Sequence, residues 1–361
     1  MNKKKSFYIV PICFVVVIGL LVFLSSGKSE VAGSIIQTHG IKPLYQKTIK
    51  QVEKEEKFNI DVIGDSTYLF YSNGYGYRYG PSIMKYEDGS IDVWLSAPGN
   101  SGSHWDYITY RHSDDGINWT DERVVLRPTP GSKDQCSVCD PGLIYFGGYY
   151  YLGYTATAYY AGNGTNNSAF VARSENPDGP FEKWNGEGWG GYPKPIIEYE
   201  GSPSGWGIGE ISFVVKDNEL YVYYTYFDEL GGSTRLAKSD LAEDWPARLE
   251  GDETVCFRNH QDSMDVVYVD DIQTFLGFSV FQRMTQNSRL IIYESKDGLE
   301  FKEVDKAKGT MEDYAHNVGI SKDEKGHTNM LEDNYIGYGF GARWGKWSAV
   351  LKQITIKRYF E

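Results

Sequence analysis

Residues 137–155 read SVCDPGLIYFGGYYYLGYT, and this stretch decides the fold. Asp140 and Pro141 precede a short apolar run, and Gly147-Gly148 then leads into a second run that is rich in tyrosine. Two β-prone runs separated by Gly-Gly are typical of a β-hairpin. The acidic residue stands before the first strand. We therefore expect Asp140 at the end of the hairpin that lies away from the turn.

The same pattern recurs along the chain at intervals of about 50 to 70 residues, and the copies begin at Gly80, Asp140, Glu210, Asp265 and Asn317. A second pattern follows the first four copies: an alternating strand that ends in Ser, then a turn and an aromatic residue. Repeats of four short strands are typical of propeller blades. An ordinary β-sandwich with unrelated hairpins is the alternative, but it would not keep both order and spacing. The sequence predicts an all-β fold, a five-bladed β-propeller over residues 61–361, in which a strand at residues 62–71 closes the ring against the last blade.

The composition fits one large domain that contacts carbohydrate. The chain has 361 residues and a formal net charge of −13, which argues against a nucleic-acid partner because such partners require a basic surface. It has 29 tyrosines. Tyrosine suits strands, and its flat ring with a polar edge also suits the C–H face of a sugar. We expect a monomer with a carbohydrate partner.

The start of the chain has the pattern of an export signal. Lys3, Lys4 and Lys5 precede an apolar run over residues 7–24, and small residues follow at 25–27. A positive flank before an apolar run indicates either a cleaved signal peptide or an uncleaved membrane anchor over residues 1–27. Residues 28–60 are polar and predict a spacer. The rest of the protein is then secreted or held at the membrane, outside the cytoplasm; a cytosolic protein with a buried N-terminal helix is the alternative.

Four cysteines leave the redox state open. Cys136 and Cys139 form Cys-x-x-Cys without the second pair that a zinc site needs. In an oxidising compartment these two residues, or one of them with Cys256, could form a disulfide. Buried free thiols are the alternative.

The starting residues of the five copies are the candidates for chemistry. The first strand of each propeller blade lines the central channel, so Gly80, Asp140, Glu210, Asp265 and Asn317 should converge at one mouth. Three carboxyl groups brought together raise one another's pKa, as general acid catalysis requires. The alternative is that Asp140 caps a turn and that the other two acids are solvated charges.

With these motifs the chain resembles the five-bladed propeller glycosidases, above all family 43 of the glycoside hydrolases and its relatives in families 32, 62, 68 and 117. The resemblance covers about residues 71–361 and rests on the Asp-Pro start of a blade, the Ser-x-Asp-Gly turns and the acid at the third blade. It implies that Glu210 is the general acid and that Asp140 tunes and orients it. The first blade has Gly80 where the family has its general base. Asp106 or Asp265 could supply the missing carboxylate.

The resemblance implies a glycoside hydrolase that acts on an extracellular polysaccharide or oligosaccharide. The alternative is a glycan-binding propeller that has lost the first-blade base. His316 is similar to a last-blade histidine near the channel axis of the family. Arg78 and Arg343 are candidates to bind an acidic sugar, and Trp105, Trp206 and Trp344 are candidate stacking platforms. Packing within the fold is the alternative for each of these residues. No cofactor or catalytic metal is expected, although a structural calcium in the channel would fit the resemblance.

Overall fold

The computed structural model describes residues 56–360 apart from 100–104, 160–163, 229–230, 261 and 308–310. The predicted signal or anchor over residues 1–27 and most of the predicted spacer lie outside these residues. Within the described ranges, no helix has the length and apolar character needed to cross a bilayer. The described part falls in one compact unit, Glu53–Glu361.

The described residues are arranged in five sheet units of four strands each. Unit 1 contains β2 (Tyr79–Lys85), β3 (Ile91–Pro98), β4 (Asp106–Ser113) and β5 (Arg123–Leu126). Unit 2 contains β6 (Ser137–Phe146), β7 (Tyr149–Thr157), β8 (Ser168–Ser174) and β9 (Glu182–Lys183). Unit 3 contains β10 (Ile208–Lys216), β11 (Glu219–Asp228), β12 (Gly231–Ser239) and β13 (Glu250–His260), with a 3-10 helix, Trp245–Arg248, before its last strand.

Units 4 and 5 complete the series. Unit 4 contains β14 (Asp265–Val269), β15 (Thr274–Phe281), β16 (Arg289–Ser295) and β17 (Lys302–Ala307), and β19 (His327–Thr328) pairs in parallel with β14. Unit 5 contains β18 (Ala315–Lys322), β20 (Asn334–Phe340), β21 (Ser348–Phe360) and β1 (Glu56–Phe70). A short parallel pairing of β18 with β2 joins units 5 and 1 into one sheet. The all-β prediction is confirmed.

Strand β1 supplies the outer strand of the last unit. It runs antiparallel to β21, from Glu56 opposite Phe360 to Phe70 opposite Ala349. The predicted closing strand at residues 62–71 is therefore confirmed. It begins at Glu56, inside the range that the sequence assigned to the spacer, because Phe58 and Ile60 are buried in the core.

The innermost strands are buried on both faces, which explains their continuous apolar runs. In β10, Phe213 packs in a cluster with Tyr151 and Trp245, whereas its neighbour Val214 packs in a separate cluster with Tyr268. Successive side chains of a strand point to opposite faces, so each inner strand contacts the units on either side. At Gly142 a Cβ would lie 1.9 Å from the carbonyl oxygen of Ile211. Only glycine permits this approach of neighbouring inner strands.

A β-bulge opens the inner strand of four units. The pairing register shifts just after Gly80, Asp140, Glu210 and Asn317, and each of these residues has a left-handed backbone, with φ of 58°, 49°, 52° and 48° respectively. A bulge re-aims the side chain of the extra residue. The repeated pattern in the sequence therefore corresponds to one backbone conformation, a β-bulge, that occurs in four of the five units.

Unit 4 lacks this bulge, and its matched position is not Asp265. Gly153 in unit 2 pairs with Gly142, two residues after Asp140, and the corresponding Gly277 in unit 4 pairs with Val266. The residue two positions before Val266 is Met264. Asp265 therefore lies one residue beyond the position that the sequence repeat assigned to it.

Candidate active site

At three of the bulges, a side chain from the preceding unit accepts a hydrogen bond from the backbone amide of the bulge residue. The Asp140 amide donates to Ser96 Oγ at 2.8 Å, and the Glu210 amide donates to Thr155 Oγ1 at 2.8 Å. At the fifth unit a carboxylate takes the place of the hydroxyl, and the Asn317 amide donates to Asp262 Oδ2 at 2.7 Å. These bonds satisfy the amides that a bulge leaves unpaired. They also fix where each bulge side chain points.

The bulge side chains meet at one central cavity. It is lined by residues from every unit, including Gly80, Asp140, Glu210, Asp265 and Asn317. The five residues that the sequence repeat selected are therefore brought to one place. Their contacts within this cavity differ, and the differences suggest different roles.

Glu210 is a buried carboxyl group whose two oxygens have different surroundings. Its Oε1 accepts a hydrogen bond from Asn317 Nδ2 at 2.8 Å, whereas its Oε2 is buried and has no partner among the described residues. Burial raises the pKa of Glu210 to about 8, and the nearby negative charges of Asp140 and Asp262 add to the rise. A carboxyl group with this pKa keeps its proton at neutral pH and can donate it.

Asp140 is the carboxyl group beside Glu210 that ionises more readily. It is 8% exposed. Burial raises its pKa to about 6, while hydrogen bonds from Cys139 and Thr155 and the charge of Arg283 oppose the rise. A Cβ added at Gly80 would lie 3.3 Å from Asp140 Oδ1. The carboxyl group of Asp140 therefore occupies the space next to the position where the family resemblance places a first-blade base.

Asp106 is close enough to Asp140 for their charges to interact. Its carboxylate accepts hydrogen bonds from the Tyr77 hydroxyl at 2.7 Å and from Ser137 Oγ at 2.9 Å. Burial raises the pKa of Asp106 to about 6, and the charge of Asp140 contributes to the rise. Asp106 therefore belongs to the same group of carboxyls, as the sequence proposed.

Asp265 is engaged in the channel and does not suit activation of water. Its Oδ1 accepts from Lys322 Nζ at 2.6 Å and from Ser212 Oγ at 2.7 Å, and its Oδ2 accepts from the Ile320 amide at 2.9 Å. The Lys322 side chain is only 3% exposed. Asp265 therefore takes part in an ion pair that links units 3, 4 and 5 at the channel, and its catalytic role stays a prediction.

The channel has its own positive charge. Besides Asp265, the Lys322 ammonium contacts Ser212 Oγ at 3.1 Å and the Val266 carbonyl oxygen at 3.2 Å. Across the described ranges, no group of three or more His, Cys, Asp or Glu side chains is placed to hold a metal ion. The ammonium provides the charge that neutralises Asp265.

Sequence reasoning missed Asp262 and Arg283. Asp262 is buried, and its Oδ1 lies 3.4 Å from Arg283 Nε. Burial raises the pKa of Asp262, while the charge of Arg283 and hydrogen bonds from backbone amides lower it. Both residues lie in connecting segments outside the repeated pattern. Matching Leu-Gly-Phe at 276–278 to Leu-Gly-Tyr at 152–154 gives the correct register of unit 4 from the sequence. No signal in the sequence indicates Arg283.

Comparison with known proteins adds evidence on the fold. No family model matches the chain, and no curated protein matches it. Among solved structures it is similar to a family 117 glycoside hydrolase of the marine bacterium Zobellia galactanivorans, with a TM-score of 0.61 and 16% identity over 83% of this chain and 90% of that one. It is also similar to an endo-arabinase of Bacteroides thetaiotaomicron, with a TM-score of 0.54 and 17% identity over 81% and 98% of the two chains.

A third similar structure is an α-L-arabinofuranosidase of Podospora anserina, determined in complex with cellotriose. The TM-score is 0.56, with 12% identity over 83% of this chain and 96% of that one. The chain has the propeller fold of these glycoside hydrolases. The resemblance stated from the sequence is confirmed at the level of the fold.

His316 is packed among aromatic rings, next to Asn317 in the chain. It is 1% exposed, and neither ring nitrogen has a partner among the described residues. Burial lowers its pKa to about 3, so the imidazole is neutral. The ring of Trp347 lies 4.6 Å away, measured between centroids, and that of Tyr79 lies 5.9 Å away. His316 is thus part of an aromatic wall beside the acids.

The two arginines that the sequence predicts to bind an acidic sugar have different surroundings. Arg78 donates from Nε to Glu122 Oε1 at 2.6 Å and from Nη2 to Glu122 Oε2 at 2.5 Å, so its planar fork is already engaged. Its role in binding an acidic sugar stays a prediction, and it would require Glu122 to be displaced. Arg343 is exposed at the rim. The arginine beside the acids is Arg283.

The predicted tryptophans differ in exposure. Trp105 and Trp206 are both half-buried, and Trp206 packs edge-on against Phe227, with 5.4 Å between centroids. Trp344 is 74% exposed and packs edge-on against Trp347 at 4.9 Å. Because Trp347 contacts His316, a series of ring contacts runs from the exposed Trp344 to the buried His316. Of these rings only that of Trp344 is exposed, and it stays a candidate stacking platform.

The cysteines of the propeller are free and buried: Cys136, Cys139 and Cys256. The disulfide alternative is therefore wrong. Cys139 instead donates from Sγ to Asp140 Oδ2 at 3.3 Å. Burial raises the pKa of its thiol, and the charge of Asp140 raises it further. It remains a thiol beside the carboxyl group.

Proposed function

We propose that this protein is a glycoside hydrolase whose five sheet units are the blades of a five-bladed propeller. Glu210 carries the proposal, because it is a buried carboxyl group with a raised pKa and a free oxygen at the cavity. It would donate its proton to the glycosidic oxygen as the bond to the leaving group breaks. Glycoside hydrolysis needs a second carboxyl group, in the ionised form.

Asp140 is the best candidate for this second group. At a pH between about 6 and about 8, Asp140 is ionised while Glu210 is protonated. Two titratable groups whose environments separate their pKa values make an acid and base pair. Asp140 also occupies the space beside Gly80. In this mechanism Asp140 activates the attacking water. Asp106 lies near enough for its charge to interact with that of Asp140.

The substrate that we propose is a polysaccharide or oligosaccharide outside the cytoplasm, reached after residues 1–27 export or anchor the chain. The net charge of −13 and the exposed Trp344 fit a neutral glycan better than a polyanion. The similar structures include an endo-arabinase and α-L-arabinofuranosidases. Arabinan and aryl arabinofuranosides therefore come first in a test panel.

Gly80 favours a second candidate function. Because the first unit has no carboxyl group at its bulge, the protein could bind a glycan without cutting it. The two candidates differ in one measurement. The purified protein is incubated with a panel of glycans, and both release of reducing ends and retention on immobilised glycan are recorded.

The decisive variant is Glu210→Gln, with Glu300→Gln at an exposed turn as the matched control. We expect Glu210→Gln to abolish release of reducing ends while the fold and glycan retention persist. The control should cut at the parent rate. Cleavage by folded Glu210→Gln at the parent rate would refute the role of Glu210, and retention without any cleavage by the parent would favour the binding protein.

A further inference from the structure

Arg283 lies beside the acids of the cavity, on a constrained loop between β15 and β16. The residues on either side of it, Gln282 and Met284, have left-handed backbones with φ of 51° and 55° although neither is glycine. Such conformations cost about 1–3 kcal/mol each and persist only where the surroundings impose them. They tend to occur at functional sites, so we asked what the loop positions.

Hydrogen bonds impose the shape of this loop. The Gln282 carbonyl oxygen accepts from Thr285 Oγ1 at 2.8 Å and from Ser288 Oγ at 3.0 Å. The Met284 amide donates to the Ala315 carbonyl oxygen at 2.9 Å, and the Tyr314 amide donates to the Thr285 carbonyl oxygen at 2.7 Å. The loop is therefore tied to the start of β18, the strand that carries His316 and Asn317.

The Arg283 side chain lies beside the acids and is 31% exposed. Its Nε lies 3.4 Å from Asp262 Oδ1, and neither atom makes a hydrogen bond within the described residues. Asp262 Oδ2 holds the Asn317 amide, and Asn317 Nδ2 donates to Glu210 Oε1. An unbroken series of contacts thus leads from the guanidinium to the proposed catalytic acid.

We propose that Arg283 is a positioning residue that fixes the Glu210 carboxyl through Asp262 and Asn317, and that its charge acts on the carboxyl groups beside it. The inference rests on the proposed function, because it assigns a partner to the proposed catalytic acid, but it can be tested without a substrate. The charged groups that face Glu210 are Asp140, Asp262 and Arg283. His316 and Tyr79 also lie near Arg283, and both are uncharged at neutral pH.

The charge of Arg283 acts most directly on three acids. It lowers the pKa of Glu210, Asp140 and Asp262, in opposition to burial. The raised pKa of Asp106 follows mainly from burial, with a contribution from the charge of Asp140, and hydrogen bonds oppose it. Removing the guanidinium should therefore raise the first three pKa values and move that of Asp106 less, through its interaction with Asp140.

The test follows these carboxyl groups directly. The full-length protein is labelled with ¹³C at Asp and Glu carboxyl carbons and titrated by NMR as the parent, Arg283→Met and Arg283→Lys. Glu210→Gln, Asp140→Asn, Asp262→Asn and Asp106→Asn assign the signals. In Arg283→Met we expect the titrations of Glu210 and Asp140 to move up by about one pH unit or more, the usual effect of one nearby opposite charge.

Asp106 is the internal control, and its titration should move less than that of Glu210. Arg283→Lys keeps the charge and should restore most of the parent behaviour. The inference is overturned if Glu210 does not move in Arg283→Met, if Asp106 moves as far as Glu210, or if Arg283→Lys behaves like Arg283→Met. A protein that cleaves no glycan can still pass this test, whereas failure here would leave the role of Glu210 in cleavage intact.

Discussion

Replacing Lys322 with methionine would remove the positive charge from the channel while nearly keeping the volume of the side chain. The ammonium contacts Asp265 Oδ1 at 2.6 Å, Ser212 Oγ at 3.1 Å and the Val266 carbonyl oxygen at 3.2 Å. The Lys322 and Asp265 side chains are 3% and 13% exposed. After the substitution, the charge of Asp265 would be left in the channel with only Ser212 Oγ and the Ile320 amide as donors.

The expected loss of stability follows from this burial. Breaking a buried ion pair by removing one partner costs about 3–5 kcal/mol, because the other charge remains without compensation. We therefore expect the free energy of unfolding of Lys322→Met to fall by about 4 kcal/mol. The double variant Lys322→Met/Asp265→Asn removes both charges. It should regain much of this loss.

Urea denaturation followed by tryptophan fluorescence measures the effect. The matched control is Lys133→Met, which breaks an ion pair with Glu198 in which both side chains are more than half exposed. Exposed pairs contribute about 0–1 kcal/mol. If Lys322→Met loses no more stability than Lys133→Met, or if the double variant is less stable than Lys322→Met, then the channel pair does not stabilise the protein as argued.

Three further predictions concern the cavity and its rim. Cleavage should be fastest between about pH 6 and pH 8, because Asp140 gains a proton below this window and Glu210 loses one above it. A pH profile of kcat/KM measures this, and a flat profile would contradict the acid–base pair. Because the folded pKa of Glu210 lies above its ordinary value, its contribution to the free energy of unfolding falls as pH rises, by up to about 1.4 kcal/mol per pH unit. Urea unfolding at several pH values should show that the free energy of unfolding falls less steeply with pH in Glu210→Gln than in the parent, and equal slopes would refute the raised pKa. Trp344→Ala should leave the melting temperature within about 2 °C of the parent, because the side chain is 74% exposed, but should weaken glycan retention several-fold. Unchanged retention would exclude Trp344 as a stacking platform.

The repeated sequence pattern predicted the fold because it encodes local structure. The hairpin at residues 137–155 contains its own turn, and its copies place the bulges that carry Asp140, Glu210 and Asn317. These features depend on residues that are neighbours in the chain. The convergence of the bulges then follows from the propeller topology alone.

Other features of the site depend on contacts between distant segments. The sequence identifies Arg78 as a candidate for sugar binding, but it does not show that Glu122, 44 residues away, pairs with this arginine. Asp265 was placed one residue out of register because unit 4 has no bulge to match the others. Arg283 belongs to no repeat, and its position is imposed by a loop that hydrogen bonds hold to β18. Periodicity contains no information about such pairings.

The pairing of β1 with β21 has a consequence for biosynthesis. Asp61 and Lys357, which form an ion pair across these two strands, are 296 residues apart in sequence. The ribosome synthesises β21, the partner of β1, only after every other sheet unit has been made, so the backbone edge of β1 stays open until then. Such a chain depends on late, long-range closure, which is slow and exposes unpaired edges to aggregation in the meantime.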